Sequence, residues 1–210
     1  MTLPKIISAV LIAVGLAATA RSQPGPPRWP PGELVPAWID SAHAPPGAEA
    51  LVERALKNWT DAAEGRVALK KTASEGGAKL RIHFMRSETN YGETAPHVDP
   101  RTRAIVGADV GIRAEAPGDL LNQRIVIYLT ALHELGHALG LRHSDDFGAI
   151  MYRFREPGDG ERYFMQYRRR VRSAEDVGTP TATGISAEDL QALRMLYDRC
   201  RNRPDDMIHR

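Results

Sequence analysis

Residues 133–143 read His-Glu-Leu-Gly-His-Ala-Leu-Gly-Leu-Arg-His, which places three of the seven histidines of the chain in one short run. On a helix His133 and His137 lie about one turn apart, so both imidazoles leave the same face and can meet at one metal ion. Glu134 follows the first of them, where a carboxylate reaches metal-held water without entering the coordination shell. Gly140 supplies the left-handed conformation with which helices commonly end, so the chain can double back and bring His143 to the same point. Three neutral imidazoles with an open fourth position make a catalytic kind of zinc site, because structural sites normally close with a fourth protein ligand. Whatever the chain folds into must contain a helix that ends at Gly140 and a cleft against that end.

The remaining sequence supplies a sheet and two further helices. Residues 34–40 read as a short edge strand, with Pro36 tolerable only where no neighbour needs its missing N–H. Pro45-Pro46-Gly47 breaks the chain, and from Ala48 the positions Leu51, Val52, Ala55, Leu56, Trp59 and Ala63 recur at helical spacing up to about Gly65. Val67 and Leu69, then Leu80, Ile82 and Phe84, alternate with polar residues as half-buried strands do, separated by a turn at Glu75-Gly76-Gly77. Ile105, Val106, Val110 and Ile112 mark another strand after an Asp99-Pro100 turn. Pro117-Gly118-Asp119 leads into a long apolar run through Leu139, with Asp119 or Asn122 as its cap. Ser186 and Asp189 form a capping-box-like start to a C-terminal helix carrying Leu190, Leu193, Leu196 and Tyr197 on one face. Residues 151–184, rich in Arg, Gly and Pro, give no signal of regular structure.

At the N-terminus, Lys5 precedes an apolar stretch over residues 6–18 and then Ala18-Thr19-Ala20, the pattern of a secretory signal peptide. Its apolar stretch is shorter than the ~20 residues that span a bilayer. The expected organisation is a signal peptide at 1–20, a weakly packed Pro/Gly-rich lead-in at 21–32, a catalytic domain at 33–200 and a tail at 201–210. The mature chain is then expected outside the cell or in a periplasm, as a monomer without stable membrane insertion. Cys200 is the single cysteine, which excludes an intramolecular disulfide and a thiolate zinc cluster. Lys and Arg number 28 against 26 Asp and Glu, a formal +2 that gives no ground to expect a nucleic-acid partner. The cluster Arg168, Arg169, Arg170 and Arg172 reads as a solvated face, with a patch for polyanions as the alternative.

The run at 133–143 matches the metzincin zinc signature, and its Leu-Gly and Ala-Leu-Gly-Leu fillers, with Ser144 after the last histidine, resemble the matrixin branch. Gly148-Ala149-Ile150-Met151-Tyr152 resembles the Met-turn of that family, with Met151 as the apolar base beneath the ligands. Residues 38–40, 55–59, 80–84 and 185–197 resemble the family's early strand, helix, second strand and C-terminal helix. The resemblance implies an α+β, zincin-like fold: a twisted, mainly parallel five-stranded sheet with an antiparallel edge strand, a long active-site helix and a C-terminal helix. It further implies one catalytic Zn²⁺ on His133, His137 and His143, Glu134 as general base, and Gly140 and Met151 in support. A polypeptide substrate would lie extended along the edge strand, expected within residues 105–112, and be cut internally. The alternative is a catalytically silent, zinc-binding peptide-recognition module. Three departures matter. Arg153 stands where related metzincins carry a ligand tyrosine, and no cysteine precedes the motif to act as a zinc-capping switch. His97-Val98-Asp99 matches part of a second, structural zinc site, yet no histidine lies between His97 and His133, so a polar loop is expected there. Calcium held by loop carboxylates is compatible with the resemblance and is left unassigned.

Overall fold

A computed structural model describes residues 25–198; residues 1–20, where a signal peptide is expected, Cys200 and residues 201–210 lie outside the described residues. Alternating apolar and polar side chains make five strands, and helical spacing makes four helices: β1 (Glu33–Asp40), α1 (Ala48–Ala62), β2 (Val67–Lys71), β3 (Leu80–Met85), β4 (Gly92–Val98), β5 (Ile105–Arg113), α2 (Leu120–Ala138), α3 (Asp159–Arg168) and α4 (Ala187–Asp198). The sheet order is β2-β1-β3-β5-β4. β2, β1, β3 and β5 run parallel, and β4 pairs antiparallel with β5 at the edge. This is the α+β architecture that the family resemblance implies.

The position of the edge differs from expectation. Residues 105–112 belong to β5, which is an interior strand between β3 and β4, and the antiparallel edge is β4. The apolar alternation of β5 reflects burial between two neighbours. β4 has no buried residue and mixes small and polar side chains, so it carries no periodic signal. β1 is likewise an interior strand, between β2 and β3. Pro36 is tolerated there because pairing with β3 begins one residue later, at Ala37 opposite Leu80. The Pro36 carbonyl accepts from Lys79 N on that side, so its absent N–H points past the start of β3, where no ladder bond is lost.

Two helices cover one face of the sheet. In β1 and β3 every second residue is buried and the others are partly exposed, so the opposite face stays open to water. α1 places Leu51, Val52, Ala55, Leu56 and Trp59 inward, and the Trp59 indole donates to the Leu132 carbonyl at 2.7 Å, locking α1 to α2. Each such fully buried large side chain contributes about 1.5–3 kcal/mol. α2 is buried all round from Ile125 to Gly136, as expected for a helix packed between the sheet and α1 on one side and α3 on the other.

Weak packing of the lead-in does not hold for its described part. Trp29 is buried, and its indole donates to the Ala138 carbonyl at 2.8 Å, beneath the end of α2. Ile105 N donates to the Arg28 carbonyl, and Gly32 N to that of Arg66, so this stretch is tied to β5 and to the turn before β2. Composition suggested looseness because Pro and Gly dominate it; one tryptophan overrides them. No helix among the described residues is long and apolar enough to cross a membrane.

Candidate active site

α2 presents the first two histidines. Asp119 caps its N-terminus by accepting from Asn122 N at 2.8 Å, and Arg168 grips the same carboxylate through two bonds of 2.8 and 2.7 Å. Part of the arginine cluster is therefore committed to holding α3 against the start of α2. At the other end, Gly140 N bonds the His137 carbonyl and Leu141 N bonds the Gly136 carbonyl, the paired pattern of a Schellman stop. Gly140 has φ +99°, and a side chain there would run into the Pro27 carbonyl, so glycine is required twice over.

Beyond that stop the chain returns along the segment that carries Met151. Ser144 N donates to the Met151 carbonyl at 2.6 Å and Arg153 N to the Ser144 carbonyl at 2.9 Å. These bonds fix His143 next to α2. Met151 is buried with its sulfur under Gly136, where any side chain would collide with it. Asp189 of α4, also buried, accepts from Ile150 N, Met151 N and Ser186 N at 2.8, 3.2 and 2.8 Å. Ser186 Oγ in turn accepts from Asp189 N, completing the capping box. The C-terminal helix thus holds the floor of the site by hydrogen bonds to one carboxylate.

The three imidazoles converge, with one ligand atom from each lying within 4.8 Å of the others, and His137 Nε2 and His143 Nε2 3.1 Å apart. Tetrahedral zinc with Zn–N bonds of ~2.0–2.1 Å puts its ligand nitrogens roughly 3.3 Å apart, so the donor set fits such an ion. His133 Nδ1 donates to the Ile150 carbonyl at 2.6 Å and His137 Nδ1 to the Leu141 carbonyl at 2.9 Å. These bonds hold both Nδ1 protons and leave each Nε2 lone pair free for a metal. Among the described residues this is the one group of three potential ligands so gathered. His97 instead pairs with Asp109 at 2.9 Å, and Asp99 accepts from Arg101 N and Thr102 N as a loop cap.

Burial sets the protonation of the site. His133 is pushed down to about 3, first by desolvation and then by the neighbouring His137, so it is neutral across the physiological range. His137 and His143 are lowered as well, chiefly by burial. Glu134 is pushed up to about 7 by desolvation, against a lowering hydrogen bond from Thr94 and with a small raising contribution from Glu93. A bound dication would draw it back toward the ordinary carboxylate range.

Acid therefore acts on metal-free protein in a definite direction. An unfolded histidine takes up its proton near pH 6.5 while His133 resists to about 3, so its stability contribution is complete above pH 6.5 and declines as pH falls toward 3. Urea unfolding of metal-free chain at pH 5 is expected to show a loss of about 2 kcal/mol from His133 relative to pH 7. The His133→Gln chain should lack that increment; an equal loss in both chains would refute the assignment.

Thr94 is a site residue that sequence reasoning missed. Its hydroxyl lies 2.6 Å from Glu134 Oε2 and 3.0 Å from the Glu134 carbonyl. Gly92, two residues earlier on β4, lets the strand pass over Glu134, since a Cβ there would come within 2.6 Å of Glu134 Cγ. Nothing in a strand without buried residues, far from Glu134 in sequence, signals either role.

Comparison with known proteins agrees with this geometry. A family model described as matrixin matches residues 41–167. The neutrophil collagenase of Homo sapiens is 32% identical over 141 residues, covering 61% of this chain and 29% of the collagenase. The interstitial collagenase of Oryctolagus cuniculus is 29% identical over 138 residues, with 61% and 29% covered. Metalloendoproteinase 1 of Glycine max is 28% identical over 141 residues, with 60% and 45% covered. The chain spans less than half the length of these relatives. With the family model covering more than half of its 210 residues, and the histidine cluster folded as the signature requires, this chain belongs to the matrixin family.

Proposed function

We propose that the chain is a secreted zinc-dependent metalloendopeptidase, with His133, His137 and His143 as metal ligands and Glu134 as general base. The observation that carries the reading is the convergence of the three imidazoles, with Glu134 on the next helical position facing the same cleft. Zinc, when bound, supplies Lewis-acid polarisation of the scissile carbonyl and acidifies a water molecule. Glu134 accepts the proton of the attacking water at its carboxylate and delivers it to the departing amine nitrogen. A carboxylate in largely apolar surroundings suits that two-way transfer. Thr94 holds the carboxylate in place.

Substrate alignment falls to β4. Arg113 N donates to the Tyr91 carbonyl, and alternation from that pair turns the main-chain groups of Glu93, Ala95 and His97 toward β5. Those of Gly92, Thr94 and Pro96 face the open edge, so Pro96 costs the sheet no bond, and an extended polypeptide can pair with Gly92 and Thr94. The Pro/Gly lead-in at 21–32, the catalytic unit at 33–200 and the tail at 201–210 follow from the same reading, with export directed by residues 1–20 and cleavage near Ala20.

The test is digestion of a diverse peptide mixture by purified protein, with chelator and with zinc restored. Internal cuts that vanish with chelator and return with zinc support the proposal; cleavage indifferent to chelator overturns it. In a Thr94→Val variant the hydroxyl that favours ionised Glu134 is gone, so the acid limb of the pH–rate profile should move up by about one unit, with kcat/KM falling by up to roughly tenfold on the acid side of that limb and little above it. An unmoved limb would show that Thr94 has no hold on the base.

A further inference from the structure

An α-helix ends with main-chain carbonyls that its own N–H groups cannot reach. At the end of α2 these are the carbonyls of Gly136, His137, Ala138 and Leu139. The Schellman stop supplies partners for the first two, through Leu141 N and Gly140 N. No main-chain N–H among the described residues bonds the other two. Side chains take them instead: the Trp29 indole donates to the Ala138 carbonyl at 2.8 Å, and the Tyr197 hydroxyl to the Leu139 carbonyl at 3.0 Å. Both donors are buried, so neither bond competes with water.

The two donors come from opposite ends of the described chain, and each is itself tied down. Trp29 belongs to the lead-in, which β5 holds through Ile105 N on the Arg28 carbonyl and which sets the Pro27 carbonyl against Gly140. Tyr197 belongs to α4, whose Asp189 holds the turn of Met151. The end of α2 is therefore fixed from the sheet on one side and from the floor of the site on the other. That end carries the second half of the donor set. The Leu141 carbonyl, one residue past the stop, accepts from His137 Nδ1 at 2.9 Å, and His143 follows two residues later. His133 lies one turn deeper in α2 and takes its partner from the Ile150 carbonyl instead. The main-chain bonds of a stop fix its own shape and leave its place against the sheet open, so a swing of residues 138–141 would carry Leu141 and His143 away from His133.

We infer that Trp29 and Tyr197 are positioning residues for the zinc ligands His137 and His143, acting through the helix end that they hold. The inference rests on the metal-site reading proposed above. It makes the described part of the lead-in a component of the working site, because the partner of the Ala138 carbonyl comes from there.

The experiment uses the full chain loaded with zinc, or with Co²⁺ as a coloured substitute. Tyr197→Phe removes only the hydroxyl, and Trp29→Phe keeps a buried ring without the donor. Zinc release to excess chelator should run about threefold faster in each and about tenfold faster in the double variant, as for one net hydrogen bond apiece with separate effects adding. The visible bands of the Co²⁺ protein, which report the ligand arrangement without turnover, should shift in the same order. Leu56→Ala is the control, since Leu56 is buried on α1 and lies over β2 beside Leu69. It should lower the urea midpoint at least as much as either ring variant, yet leave zinc release and the Co²⁺ bands as in the wild type. Wild-type release and bands in the double variant would overturn the inference and leave the metal site intact. Equal acceleration in Leu56→Ala would overturn it as well, because general loosening would then account for the effect. A wild-type chain without stoichiometric metal would remove the metal-site reading and the inference with it.

Discussion

Glu134→Gln protein is expected to lose about 10²- to 10⁴-fold in kcat/KM for peptide hydrolysis while keeping the metal content of the wild type. Glutamine is close to an isostere, and Thr94 can still donate to its amide oxygen as it does to Glu134 Oε2. The change removes the proton acceptor and little else. Stability should not fall, because Glu134 is 7% exposed and desolvation already works against its charged form. Metal should stay because the donors are imidazoles, held by the Ile150 and Leu141 carbonyls independently of Glu134. Kinetics paired with metal analysis reads both halves. Metal lost together with activity would make Glu134 a ligand, and activity retained would remove it from the mechanism.

Asp189→Ala should be the most damaging change away from the histidines. The carboxylate is 1% exposed and accepts from three main-chain N–H groups, two of them in the turn that carries Met151. Truncation leaves those donors buried without partners at about 1–3 kcal/mol each, so a total loss of roughly 3–5 kcal/mol is expected. That is a large share of the roughly 5–15 kcal/mol by which domains are stable. The disturbance should reach the metal, because the Ile150 carbonyl that orients His133 belongs to the same turn. Asp189→Asn keeps one acceptor oxygen and should fall between wild type and alanine in both urea midpoint and zinc affinity. A wild-type midpoint in Asp189→Ala would show that the turn stands without α4.

The site was more legible than the scaffold around it. His133, Glu134, His137, Gly140 and His143 sit in one run whose spacing maps directly onto a helix and its stop, and the structure gathers the histidine nitrogens within 4.8 Å. Caps were readable for the same local reason: Asp119 and the Ser186–Asp189 pair act within one turn of their own helices. What escaped depends on contacts distant in sequence. β4 hides because an edge strand with one paired side needs no apolar alternation, and its Thr94 meets Glu134 only through the fold. α3 hides because its buried face is Asp159, Tyr163, Phe164 and Tyr167 in an otherwise polar, arginine-rich stretch. Trp29 shows the opposite error, in which one large side chain anchors a segment whose composition argues for looseness.

The central claim is a single catalytic metal held by three imidazoles. Zinc titration against a chromophoric chelator tests it most directly, comparing the wild type with the His133→Ala/His137→Ala/His143→Ala chain and checking by circular dichroism that both remain folded. The account predicts one tightly bound zinc per wild-type chain and none above background in the triple variant. Equal binding by the two chains, or no stoichiometric binding by the wild type, would contradict it.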